Sequence, residues 1–103
     1  MTEILTNLAA TIAARKDADP ASSWTAQLLA KGPAKCAEKF GEEAIEAIIE
    51  AARANKPALT SEAADVLYHL LVMLEASDVK FSDVLAELAR REGTSGVAEK
   101  AAR

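Results

Sequence analysis

Between Phe40 and Met73 carboxylates recur at helical spacing in two segments, Glu42-Glu43-Ala44-Ile45-Glu46 and Glu62-Ala63-Ala64-Asp65, separated by the break Asn55-Lys56-Pro57. Residues three or four apart on a helix are surface neighbours, with Cβ atoms about 5–6 Å apart, so Glu43 pairs with Glu46 and Glu62 with Asp65. Like charges at that spacing destabilise an isolated helix. A chain that keeps them accepts a local cost, as expected where function overrides stability. Two such pairs brought face to face would hold a metal ion.

The remaining punctuation is that of a helical protein. Ile4, Leu5, Leu8, Ala9 and Ile12 recur at helical spacing up to about Arg15, before Asp17-Ala18-Asp19-Pro20. Ser22 or Ser23 caps a short segment from Trp24 that Gly32-Pro33 ends, and Pro33 suits the first turn of a helix reaching about Ala54. A further helix is expected from about Leu59 to Ala76, and another capped by Ser82, with Arg90 and Arg91 at its end and Gly93 as its stop. Abundant Ala, Leu, Glu and Lys with four Gly and three Pro favour helix over strand. The expected fold is all-α, a bundle of four to five helices. With 103 residues, half of them apolar, the expectation is a single domain spanning 1–103.

Charge and cysteine usage exclude several roles. A net charge of −4 provides no bulk basic field for a nucleic acid polymer or an anionic membrane. The longest apolar run, Val66 to Leu74, contains His69 and is far short of the roughly 20 residues that span a bilayer. A single cysteine, Cys36, and an N-terminus without a signal-peptide pattern lead to a cytoplasmic expectation.

On a helical wheel Lys35, Lys39, Glu42, Glu43, Glu46, Glu50 and Arg53 share a stripe roughly 100° wide, while Ile45, Ile48, Ile49 and several alanines fill much of the rest. Such a helix is expected to pack on several sides, leaving its charged stripe to line a cleft. Glu62, Asp65 and His69 share an arc of about 60° on the next helix. Oxygen ligands at this density suit Mg²⁺, with Mn²⁺ as a substitute, and one His with one Cys cannot supply a zinc set. The opposing reading is a solvated face on which Lys39 pairs with Glu43 and Glu50 with Arg53. Spacing leaves both readings open.

The pattern Glu-Glu-x-x-Glu followed by Glu-x-x-Asp resembles the metal motif of the all-α nucleoside triphosphate pyrophosphohydrolase (MazG-like) superfamily. Together with Lys31-Gly32-Pro33, Gly41-Glu42-Glu43-Ala44, Glu62-Ala63-Ala64-Asp65-Val66-Leu67-Tyr68-His69 and Arg90-Arg91-Glu92-Gly93, nearly the whole chain is similar to the phosphoribosyl-ATP pyrophosphohydrolase family of histidine biosynthesis. The resemblance implies Mg²⁺-dependent hydrolysis between the α and β phosphates of phosphoribosyl-ATP, releasing phosphoribosyl-AMP and pyrophosphate, in a bundle completed across a homodimer. It implies Glu43, Glu46, Glu62 and Asp65 as metal ligands. Glu42, which matches the first Glu of the motif, is expected to serve a second metal or an attacking water, and Glu42, Glu43 and Glu46 form the expected catalytic set. Lys31 and Lys39 are the expected substrate-binding cations. His69 is expected to be a hydrogen-bonded core residue rather than a catalyst, and Trp24 and Tyr68 packing aromatics, with stacking on a base left open for Trp24. A pyrophosphohydrolase of free nucleoside triphosphates and a non-catalytic helical module are the alternatives.

Overall fold

A computed structural model describes residues 2–103. Its elements are α1 (Thr2–Ala14), α2 (Trp24–Ala30), α3 (Pro33–Ala52), α4 (Lys56–Ala76), α5 (Phe81–Arg90) and α6 (Gly96–Ala102), and no strand occurs among the described residues. The protein is all-α and its helices form a bundle, with one more helix than the sequence suggested.

Local chemistry explains most of the boundaries. The Ser23 side chain accepts from the Ala26 amide at 3.1 Å and caps α2. Gly32 then turns the chain at φ +91°, a value that suits glycine, and Pro33 occupies the first turn of α3, where its missing N–H costs nothing. The helix α4 begins at Lys56 rather than near Leu59, because the Asn55 side chain accepts from the Ala58 amide at 3.1 Å and Pro57 falls within the tolerant first turn. Only three residues link α3 to α4, so the two run antiparallel along their lengths and form the main interhelical contact. The fifth helix starts at Phe81, with Lys80 as an N-cap that makes no side-chain bond, and Ser82 is not the cap. Burial of Phe81 against the core fixes this end. Ser95 caps the unexpected α6 by accepting from the Ala98 amide at 3.1 Å.

The core gathers Ile12 of α1, Leu28 of α2, Cys36 of α3, and Leu71 and Val72 of α4. The Cys36 thiol donates to the Leu28 carbonyl at 3.1 Å, and burial pushes its pKa up, so it serves as a packing residue. Tyr68 packs against this cluster and its hydroxyl bonds the Thr25 hydroxyl, tying α4 to α2.

The apolar flank of α3 stays open within one chain. Ile45, Ile48 and Ile49 are 59%, 65% and 48% exposed, and Leu67 of α4 is also exposed. Within one chain α3 packs on α4, with α2 near its start, and among the described residues these are its main packing partners.

Candidate functional site

The antiparallel hairpin turns the spacing of two helices into one site. Glu43 faces α4, and Glu62 and Asp65 lie one turn apart on α4, so each offers an oxygen within 4.8 Å of those of the other two. Burial and the neighbouring Glu46 push the Glu43 pKa up, with Asp65 and Glu62 adding to the effect. Glu62 is raised as well, by burial and by Glu46, with smaller contributions from Asp65 and Glu50. Glu46 therefore bears on both halves of the site although it lies outside the tightest triad. One oxygen of Glu62, Oε2, is buried without a hydrogen-bond partner. Three carboxylates converge with Glu46 beside them, two of the group are held above their usual pKa, and one has an orphaned oxygen. The all-oxygen donor set fits a hard divalent ion.

Glu42 points elsewhere. Its carboxylate meets the Lys39 ammonium at 3.3 Å, so Lys39 pairs with Glu42 rather than with Glu43. That choice leaves Glu43 free to turn towards α4. The other surface pair expected from the sequence, Glu50 with Arg53, forms at 3.8 Å.

His69 follows Asp65 by one turn and is only 7% exposed. Its Nε2 stands 3.9 Å from Glu43 Oε1, beyond hydrogen-bond length, and Nδ1 is buried without a partner. The edge of its ring meets Tyr68 with centroids 5.0 Å apart. Burial, helped by the charge of Lys39 and opposed by Asp65 and Glu42, lowers its pKa, which favours the neutral imidazole. His69 is thus a core residue whose nitrogen looks onto the carboxylates, and not the hydrogen-bonded one expected.

Next to the carboxylates a cleft of about 490 Å³ opens along the first half of α3, lined by Lys31, Lys35, Glu38, Lys39 and Glu42. The two expected substrate cations, Lys31 and Lys39, share it. Glu42 of the Lys39–Glu42 pair lines the basic cleft and is the sequence neighbour of Glu43, so the cleft adjoins the carboxylate group.

The Gly93-Thr94-Ser95-Gly96 stretch forms the junction of α5 and α6. A cluster there escaped the sequence reading: Glu99, buried, accepts from Arg90 at 3.0 Å and lies 3.6 Å from both Arg91 and Arg103. A cap at Ser95 followed by an acidic residue four positions later was the available signal.

The profile of the phosphoribosyl-ATP pyrophosphohydrolase family matches residues 5–92. The chain is 73% identical over 100 residues to the phosphoribosyl-ATP pyrophosphatase of Dinoroseobacter shibae, covering 97% of this chain and 98% of the relative. It is 74% identical over 100 residues to the protein of the same name from Ruegeria pomeroyi, covering 97% and 95%. The chain belongs to the phosphoribosyl-ATP pyrophosphohydrolase family.

Proposed function

We propose that this protein hydrolyses phosphoribosyl-ATP to phosphoribosyl-AMP and pyrophosphate, a step of histidine biosynthesis, and that it uses Mg²⁺, with Mn²⁺ as a substitute. The carrying observation is the convergence of Glu43, Glu62 and Asp65 from two helices in a chain whose near-full-length relatives bear the name of that activity. Glu43, Glu46, Glu62 and Asp65 would hold the cation, and the orphaned oxygen of Glu62 supports their assignment. Once bound, the cation supplies Lewis-acid neutralisation of the phosphoanhydride and lowers the pKa of water.

The chain's own groups supply position and polarity. Water is the nucleophile, since one buried cysteine and one buried histidine build no Ser/His/Asp or Cys/His set. Glu42, beside the triad but turned into the cleft, serves a second metal or the attacking water, and Glu43 and Glu46 complete the catalytic set. Lys39 neutralises phosphate oxygens at the junction of cleft and carboxylates, and Lys31 contacts the substrate farther along the cleft. An acidic protein can in this way receive a polyanion through a local charge arrangement.

We take residues 1–103 as one domain, supported by the single buried cluster formed among the described residues. A homodimer is part of the same proposal, supported by the uncovered Ile45, Ile48, Ile49 and Leu67. The assignment is to a cytoplasmic biosynthetic enzyme; no helix of the described residues is long and apolar enough to cross a membrane.

The test offers phosphoribosyl-ATP and a panel of free nucleoside triphosphates with Mg²⁺ and follows pyrophosphate release. Preference for phosphoribosyl-ATP is expected, and preference for free triphosphates would move the protein to a nucleotide-pool role. Glu43→Gln and Asp65→Asn are each expected to lower turnover by more than ~100-fold with helicity intact, because even groups that only orient metal ligands typically cost 10–100-fold. A variant with wild-type pyrophosphate release would sink the metal assignment.

A further inference from the structure

The cleft's three lysines are not equivalent. Lys39 is paired with Glu42 at 3.3 Å, and Lys35 with Glu38 at 3.0 Å. Lys31, at the end farthest from the carboxylates, has no carboxylate within ion-pair distance among the described residues. Its ammonium instead lies 5.8 Å from the centroid of the Trp24 ring, a residue 51% exposed. Ten residues of α3 separate Pro33 from Glu43, about 15 Å at 1.5 Å per residue. The cleft therefore runs from a carboxylate centre, past a neutralised middle, to an unpaired cation beside a half-open aromatic ring.

These two ends suit different chemistry. A polyphosphate has no flat apolar surface and gains nothing from an indole, whereas a nucleobase can stack on one. A lone ammonium beside that ring suits a phosphate attached to the base through a sugar. Resting on the reading of the previous section, we propose that Lys31 binds the 5′-phosphate of the ribose on the adenine ring, with Trp24 as the adjoining platform. The triphosphate then lies at the Lys39 and carboxylate end. Lys31 becomes the residue that separates phosphoribosyl-ATP from ATP, since ATP carries no charge at this point. Trp24 is a positioning residue for the Lys31 ammonium and offers its open surface to the base.

Equilibrium binding of phosphoribosyl-AMP and of AMP, with inhibition by Mg²⁺-pyrophosphate, tests this on the full chain. The wild type is expected to hold phosphoribosyl-AMP ~10- to 100-fold more tightly than AMP, the range for a hydrogen bond to a charged group. Lys31→Gln is expected to erase that ratio and raise KM for phosphoribosyl-ATP by a similar factor, with pyrophosphate inhibition unchanged. Lys31→Arg should restore most of the ratio. Trp24→Leu should reduce it by ~2- to 5-fold, the range of an exposed cation–π contact. A ratio that survives Lys31→Gln overturns the proposal. So does an equal weakening of pyrophosphate, which would place the polyphosphate at Lys31. If the wild type releases no pyrophosphate from phosphoribosyl-ATP, the functional reading falls, while the product ratio still decides the subsite.

Discussion

Glu62 condenses the conflict that organises the site. Burial and Glu46 hold its pKa up, and Oε2 finds no partner, so the ionised side chain costs the metal-free fold free energy. Neutralising it should help the empty site and harm the filled one. Glu62→Gln is accordingly expected to raise the melting temperature without metal and to abolish most of the rise that Mg²⁺ gives the wild type, as read by calorimetry with and without the ion. A variant that melts lower in both conditions would make Glu62 a structural residue. The carboxylates were legible in the sequence because helical spacing puts Glu43 beside Glu46 and Glu62 beside Asp65. The partner of Lys39 was not, since residues three and four positions on are both within reach and only the packing of α4 decides between them. Nor was the approach of His69 to Glu43, a contact between helices that no local pattern encodes.

At the scale of elements, the boundaries set by backbone chemistry were readable and those set by tertiary packing were not. Ser23 and Pro33 do what their residue types predict, whereas Ser82 yields its capping position because Phe81 is drawn into the core. The small helix α6 depends on a charge cluster that forms only when α5 and α6 meet. At the end of α5 itself, Glu87 accepts from Arg90 at 2.7 Å and from Arg91 at 2.9 Å, and those bonds lower its pKa to about 2 from the ordinary 4.5. A carboxyl whose pKa is depressed by folding stabilises the fold fully above its unfolded value and loses that contribution as pH falls through the folded one. The window therefore runs from about 4.5 down to about 2. Glu43 and Glu62 have the opposite sign, because raised carboxyl pKa values make protonation relieve the α3–α4 hairpin. Amide exchange across an acid titration of the metal-free protein should show the last turn of α5 with its cap, Glu87 to Arg91, losing protection in that window while α3 and α4 keep theirs. If the amides at the end of α5 stay protected to pH 2, the Glu87 pairs do not hold that turn.

For the molecule as a whole, the sequence conveyed an all-helical bundle and an apolar surface on α3 wide enough to pack on several sides, in a bundle expected to be completed across a homodimer. Two long helices can shield each other along only one side, and the short α2, α5 and α6 leave Ile45, Ile48 and Ile49 largely open. In the proposed homodimer this patch of branched apolar side chains meets its own equivalent across a two-fold axis. The proposed dimer makes a prediction that separates assembly from folding. Ile48 is 65% exposed within the chain, so Ile48→Glu should change the stability of an isolated protomer by only about 0.5 kcal/mol. In a dimer the same carboxylate would be buried against apolar neighbours without a partner, which association cannot tolerate. Sedimentation equilibrium should give twice the 10.9 kDa chain mass for the wild type and the chain mass for the variant. The wild-type melting temperature should rise with protein concentration and that of the variant should not, as mass action requires when only the folded state associates. A wild type that sediments at the chain mass, with a melting temperature independent of concentration, would leave the α3 face to some other partner.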